Sequence, residues 1–500
     1  MSFSRASGLL LHPTSLPSRF GIGDLGQAAY EFVDFLGASG QKLWQILPLG
    51  PTGYDHSPYT MNFSAFAGNP LLISLEQLAA AGLLEAEELQ PLTGPDLEPD
   101  RVSFERVIPH KTAYLQQACD RFRAAPSPEF TTFCQDQAWW LEDYVLFMAL
   151  LEANQGRPWQ EWERALARRQ PEALAAQREE LRDRLFYHQF VQFAFFQQWQ
   201  QLRAYANERG IQIIGDVSIY VCENSADVWA HPEAFKLDPE TLKPTYIAGV
   251  PPDYFSATGQ LWGNPVYDWD ALQATEFAWW VDRFRATLLY VDLVRIDHFR
   301  GFEAYWQVPA GETVATNGEW VPAPGEAFFS TVRETLGSLP VLAEDLGIIT
   351  PAVEELRDRF DFPGMKILLF AFGGGPDHPY LPHNYPRNCL VYTGTHDNDT
   401  TLGWWAQASE PERQAVARYL GYDTPDAIPA VNWGLIRLAL SSVANQAIIP
   451  LQDLLGLDNR ARMNDPSVRA GNWRWRYESS AQLTTALGDR LRALTELYNR

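Results

Sequence analysis

Cysteine is scarce. The 500 residues hold four, Cys119, Cys134, Cys222 and Cys389, with no CxxC pair and no metal-ligand spacing among them. That excludes a disulfide-stapled scaffold and a cysteine-built metal centre, and it points to scattered reduced thiols. Positive charge is also short, with 39 Lys and Arg against 62 Asp and Glu and a formal net charge of −23. Such a surface repels phosphate backbones and anionic membranes, so neither nucleic acid nor membrane is expected as a partner. Long apolar runs are missing. No stretch approaches the roughly 18 residues of a membrane span. The start, Met1 to His12, has an apolar run of only three leucines where a secretory signal needs about 7–15 residues. A soluble, cytoplasmic protein is expected, with a monomer as its simplest state. Neither GxGxxG nor GxxxxGK[ST] occurs, which removes the usual support for a nucleotide cofactor.

Aromatic residues, by contrast, are plentiful, with 18 Trp, 20 Tyr and 28 Phe. Most belong in a packed core, yet flat rings are also what pyranose faces stack on. Short apolar runs recur, each closed by charge or turn residues. The runs 8–11, 42–48, 211–216, 289–297, 341–344, 365–372, 389–393 and 447–451 read as eight strands. Helical stretches such as 24–36 and 350–359 follow them, and 480–500 reads as a closing helix with no appended module expected. Eight strand-then-helix units predict one α/β domain over 1–500, closed as a (β/α)8 barrel. Two intervals exceed a simple crossover. Residues 50–210 are expected to form a mostly helical insertion between strands two and three. Residues 218–280, rich in Pro, Gly, Trp and Tyr, are expected to form a loop-rich one between strands three and four.

Three carboxylates stand out against this pattern. Asp297, Glu344 and Asp397 each close an apolar run, where barrel enzymes gather their acids. Paired carboxylates split glycosidic bonds, and a retaining pair needs one ionised nucleophile and one acid that starts neutral. Arg295 lies two residues before Asp297 on the same strand face and would hold it ionised. Glu344 has the longer reach, and the apolar run before it would favour its neutral form. Asp397, with His396, would hold sugar hydroxyls as the ring flattens, and Asp345 points away as a structural acid. Taken singly, Arg-x-Asp is an ordinary salt bridge, Glu-Asp a solvated turn and His-Asp-Asn a helix cap. Only their joint placement suggests catalysis. A divalent-metal site built from His298, His396, Asp216 and Asp397 is the rival arrangement, but these histidines lack the close spacing such sites show. No metal and no cofactor are expected.

The segments Val294-Arg-Ile-Asp-His-Phe-Arg-Gly301, Leu342-Ala-Glu-Asp-Leu-Gly347 and Tyr392-Thr-Gly-Thr-His-Asp-Asn-Asp-Thr-Thr401 resemble the signature strands of the amylomaltases. These are the 4-alpha-glucanotransferases of glycoside hydrolase family 77, relatives of the α-amylases. The similarity runs from Leu10-Leu-His-Pro-Thr-Ser-Leu-Pro17 to Gly471-Asn-Trp-Arg-Trp475. It includes the family-specific stretches Leu47–Tyr54, Ser57-Pro-Tyr59, Gly249–Phe255 and Gly259–Pro265. The resemblance implies cleavage of α-1,4-glucan and transfer of the cut piece to another glucan's 4-hydroxyl, with cyclic glucans as the intrachain product. It makes Asp297 the nucleophile, Glu344 the acid/base and Asp397 the transition-state stabiliser. Tyr59, Asp216, Arg295, His396 and Asn464 would bind sugar, as would Ser57, Gln260 and Trp262. The loop of Tyr254 and Phe255 would cover the acceptor side, and Tyr54 would belong to a second glucan contact outside the groove. Malto-oligosaccharides and starch- or glycogen-derived glucans are the partners it implies. The chain departs from the family pattern at Ser218, where Pro is usual, and at Asn224, where Asp is. An α-glucan hydrolase and a non-catalytic glucan-binding protein are the alternative expectations.

Overall fold

The computed structural model describes residues 3–500 except 54, 60–61, 253–256 and 469. Eight parallel strands form its centre. They are β1 (Ala6–Leu10), β2 (Leu43–Gln45), β3 (Gln212–Val217), β4 (Leu293–Ile296), β5 (Val341–Ala343), β6 (Gly364–Ile367), β7 (Cys389–Tyr392) and β8 (Gln446–Pro450). Their order in the sheet is β6-β7-β8-β1-β2-β3-β4-β5. All residues of β1, β2, β4, β5, β7 and β8 are buried, as parallel strands covered on both faces must be. Close strand approach needs Gly8 in β1, since a Cβ there would stand 2.1 Å from the Leu43 carbonyl oxygen. The barrel is nearly closed. Its last seam, between β5 and β6, is crossed by Ala343 N–H donating to Pro363 O at 2.9 Å and by Met365 N–H donating to Asp345 Oδ1 at 2.7 Å. Arg357 pairs with the other Asp345 oxygen, so this acid serves the seam.

Register does the first work of building a site. In the β3–β4 ladder Asp216 stands opposite Arg295, and in the β4–β5 ladder Ile296 stands opposite Ala343. The residues that follow, Asp297 and Glu344, therefore leave the barrel at the same rim.

Strand boundaries differ from expectation in three main places, the first being β2, where only Leu43–Gln45 of the expected 42–48 is strand because Leu47 N–H turns to His12 Nδ1 at 3.3 Å. Leu289 and Tyr290 end the helix Ala278–Tyr290 rather than begin β4. Leu289 is 50% exposed, and the helix's last carbonyls are taken by other partners. Arg203 Nη1 donates to Leu289 O at 2.7 Å, and Trp199 Nε1 donates to Tyr290 O at 3.0 Å. After Ile367 the chain tightens into a 3-10 turn, Leu368–Phe370, because Leu369 N–H reaches Thr393 O at 3.2 Å beyond the end of β7.

The interval between β2 and β3 carries the helices Phe104–Arg123, Pro128–Asp136, Ala138–Ala153, Pro171–Glu180 and Arg182–Glu208. A second, antiparallel sheet was not foreseen. It takes residues 246–250 and 260–265 from before β4 and residues 304–309 and 319–322 from after it. An insertion thus also follows β4. The closing helix is Thr485–Leu497, tied to the first helix's end by Gln41 Nε2 donating to Thr495 Oγ1 at 2.9 Å. Among the described residues no helix is long and apolar enough to cross a membrane.

Candidate active site

Arg295 is the hub. Its guanidinium is 3% exposed and sends Nη1 to Asp216 Oδ1 and Oδ2 at 2.8 and 2.7 Å and to Asp297 Oδ1 at 3.0 Å. Burial works against its charge, but Asp216 and Asp297 more than offset that and hold the cation firmly protonated. Asp216 is itself pushed up by burial and pulled down by Arg295. Its second oxygen accepts Tyr59 O–H at 2.9 Å. Tyr59 lies flat against His396, with ring centres 5.0 Å apart and planes 9° from parallel. His396 Nε2 stands 3.3 Å from Asp397 Oδ2. Asp397 Oδ1 accepts Asn464 Nδ2–H at 2.6 Å. One chain of contacts therefore runs from Asp297 through Arg295, Asp216, Tyr59 and His396 to Asp397.

Glu344 enters from the neighbouring strand. Its Oε2 accepts His298 N–H at 2.7 Å, and its Oε1 accepts Leu346 N–H at 3.0 Å. His298 directly follows Asp297 and takes φ +52°, the left-handed region that costs a non-glycine residue about 1–3 kcal/mol. That turn aims its amide at Glu344. Burial raises Glu344 from 4.5 to about 8, against the pull of Arg295 and with the push of Asp297. A carboxyl group held by two amides, yet protonated at neutral pH, suits an acid catalyst. Burial pushes the neighbouring His298 ring down to about 4 and keeps it uncharged.

The other candidates fall in different places. Asp297 and Glu344 directly follow strands, while Asp397 stands past Tyr392 on the loop beyond β7. Ser57 is buried near Tyr59, its Oγ accepting Tyr59 N–H at 3.2 Å. Trp262 sits edge-on to His298 with ring centres 4.9 Å apart, and its Nε1 donates to Gln260 Oε1 at 3.2 Å. Gln260 is at the exposed start of its strand. Tyr54, Tyr254 and Phe255 lie outside the described residues. Ser218 bonds Tyr220 O at 2.8 Å and Tyr59 O at 3.4 Å, so it steadies the Tyr59 segment. Asn224 Oδ1 accepts Trp159 N–H at 3.2 Å, a local tie to the helical insertion.

Two residues went unread in the sequence. Arg462 donates to Asp397 O and to Asp399 Oδ1, both at 2.7 Å, and to Asn464 O at 2.8 Å, fixing the loop that carries Asp397. Trp473 packs beside both Tyr59 and His396, at 5.8 and 5.9 Å. Proximity to Asn464 and membership of the Gly471–Trp475 segment were the available signals.

A parallel barrel whose rim gathers Asp216, Asp297 and Glu344 around one arginine suits a carbohydrate-cleaving enzyme. Comparison with known proteins narrows the class. The profile of glycoside hydrolase family 77, 4-alpha-glucanotransferase, matches residues 11–483. The chain is 56% identical to the 4-alpha-glucanotransferase of Synechocystis, covering 99% of this chain and 98% of that one. It is 50% identical to that of Thermus thermophilus over the whole of both. Its structure superposes on amylomaltase from Streptococcus agalactiae in complex with acarbose with a TM-score of 0.94, at 39% identity and 99% coverage of each chain. Amylomaltase from Corynebacterium glutamicum shares the fold, with a TM-score of 0.79 at 19% identity, covering 98% of this chain and 75% of that one. The chain belongs to glycoside hydrolase family 77 and is a 4-alpha-glucanotransferase.

Proposed function

We propose that Asp297 is the nucleophile, Glu344 the acid/base and Asp397 the transition-state stabiliser of a retaining double displacement on α-1,4-glucan. The observation that carries this is the asymmetry of the two acids. Asp297 is anchored by a buried guanidinium, whereas Glu344 is buried and raised to about 8. Arg295 occupies Asp297 Oδ1, so attack on the anomeric carbon falls to Oδ2. As that bond forms, the bond to the leaving oxygen breaks, and Glu344 supplies its proton. The free end departs. An incoming glucan then gives its 4-hydroxyl proton to the Glu344 carboxylate, its oxygen attacks the anomeric carbon, and Asp297 is released. Asp397, positioned by Asn464 and His396, holds ring hydroxyls through the oxocarbenium-like state. Tyr59, Asp216, Ser57, Gln260, Trp262, Tyr254 and Phe255 complete the groove, with Tyr54 at a separate glucan contact. The segments 50–210 and 218–280 act as subdomains that wall it.

The ligands are malto-oligosaccharides and longer starch- or glycogen-derived glucans. The acarbose bound to the Streptococcus relative supports this. Cyclic glucans arise when the acceptor is the donor's own far end. A cytoplasmic location fits the four unpaired thiols, three of them buried. Stereochemistry tests the mechanism. Proton NMR of the products from maltotriose should show that every newly joined residue carries an α-1,4 linkage, whereas β-1,4 linkages would rule out the double displacement.

A further inference from the structure

A second concave site lies away from the carboxylate rim. The helix Ala138–Ala153, the segment Ala226–Ala234, and the helices Trp269–Ala274 and Ala278–Tyr290 enclose a cavity of about 250 Å³. Among the described residues, none of the candidate sugar-binding or catalytic residues lines it. Its wall is aromatic. Trp139 is 43% exposed, an unusual state for a ring of that size, and it is braced edge-on by Phe66 at 5.1 Å. Trp140 and Trp279 line it too. Trp279 is 92% buried (8% exposed), and its indole N–H has no partner among the described residues.

The polar part of the wall sets the ligand's charge. Asp143 pairs with Arg169 at 2.6 Å, Glu233 with His231 at 3.6 Å, and Asp282 with Arg285. Asp227, the fourth acid of the wall, accepts Ala65 N–H at 2.8 Å and is pushed up to about 6 by burial, so each acid already has a partner. Each carboxylate nevertheless keeps lone pairs that can accept hydroxyl protons. Flat apolar rings beside neutralised acceptors match a molecule with apolar faces and a hydroxyl rim, which is a pyranose. The volume approaches the ~300 Å³ at which small-molecule sites begin.

We propose that this cavity is an auxiliary α-glucan site that holds a stretch of the polymer distant from the bond being cut. One glucose unit lies on Trp139, and its hydroxyls bond to Asp143 and Asp282. The choice of α-glucan rests on the family's activity. The site itself does not depend on which acid at the rim is the nucleophile. Holding the polymer at two places raises its effective concentration at the groove, which short donors cannot exploit.

Two variants test this, Trp139→Ala to remove the platform and Ala271→Trp to fill the cavity. Transfer is measured with amylose and with maltotriose, and thermal unfolding confirms that each variant folds. The expected result is a loss in kcat/KM of about fivefold or more on amylose with maltotriose within about twofold of wild type. If either folded variant keeps the wild-type ratio of amylose to maltotriose activity, the proposal is overturned. Should Trp139→Ala fail to fold, Ala271→Trp decides alone. A wrong nucleophile assignment would leave this ratio untouched, so the two ideas fail separately.

Discussion

At the scale of single residues, Glu344 as the proposed acid is expected to set the pH behaviour. Its pKa in the fold is about 8 against an ordinary 4.5, because burial disfavours the charge. The acid must carry its proton to start the reaction, so kcat/KM should fall tenfold per pH unit well above pH 8, on the alkaline side of a bell-shaped profile. The same shift has a cost in stability. The native state keeps a proton that the unfolded chain has lost between pH 4.5 and 8, so stability from this group is full below 4.5 and declines as pH rises to about 8. Glu344→Gln removes that slope. Denaturant titrations should show the variant gaining steadily on wild type as pH rises across that window. A constant difference at all pH values would mean that Glu344 is not buried as a neutral acid. Asp397 offers a different readout. If its hold tightens as the ring flattens, Asp397→Asn lowers kcat by about a hundredfold or more while KM stays within a few-fold. A normal kcat with a raised KM would reduce Asp397 to a substrate contact.

Between residues and the whole stand the elements, and here the segment before the strand 260–265 matters most. A glycosyl-enzyme facing solvent meets water in large excess, so transfer needs an acceptor held for attack, an advantage that positioning can supply at several kcal/mol. Trp262, on that strand, already reaches the ring of His298, the residue after Asp297. Earlier in the sequence Tyr254 and Phe255 follow Pro251 and Pro252, residues whose fixed φ limits the backbone. Tyr254→Ala and Phe255→Ala are expected to slow transfer and to raise the reducing ends released per glucose transferred from maltotriose. An unchanged ratio in folded variants would mean the loop does not select sugar over water. The same region shows where sequence reading stops. Short apolar strands that end on an acid, such as β4 before Asp297 and β5 before Glu344, announce themselves. The antiparallel sheet does not, because its four short strands come from both sides of β4 and pair only through tertiary contact. Leu289 and Tyr290 misled for a related reason. A short apolar run looks alike in a helix end and a strand start, and the deciding partners, Arg203 and Trp199, lie far back in the chain.

For the molecule as a whole, the barrel was legible because eight units repeat one pattern. The candidate site was legible where neighbours in sequence are neighbours in space, as with Arg295 and Asp297. Much of the rest depends on long-range closure. Asp397 is fixed by Arg462 and Asn464, from a loop beyond β8, and Tyr59 from the first insertion reaches Asp216 on β3. No local pattern carries such pairings. The resemblance to family 77 supplied Tyr59, Asp216 and Asn464, whereas Arg462 and Trp473 emerged only from the packing.

The central claim is that one rim of this barrel divides its acids into an anchored nucleophile and a buried proton donor. The direct test uses Glu344→Gln with a glucosyl donor whose leaving group needs no proton. The first displacement should then proceed and the second should stall, since no base remains to activate the acceptor. Intact-mass and peptide mass spectrometry should find the glycosyl group on Asp297, and Asp297→Asn should show none. An adduct on any other residue would contradict the account.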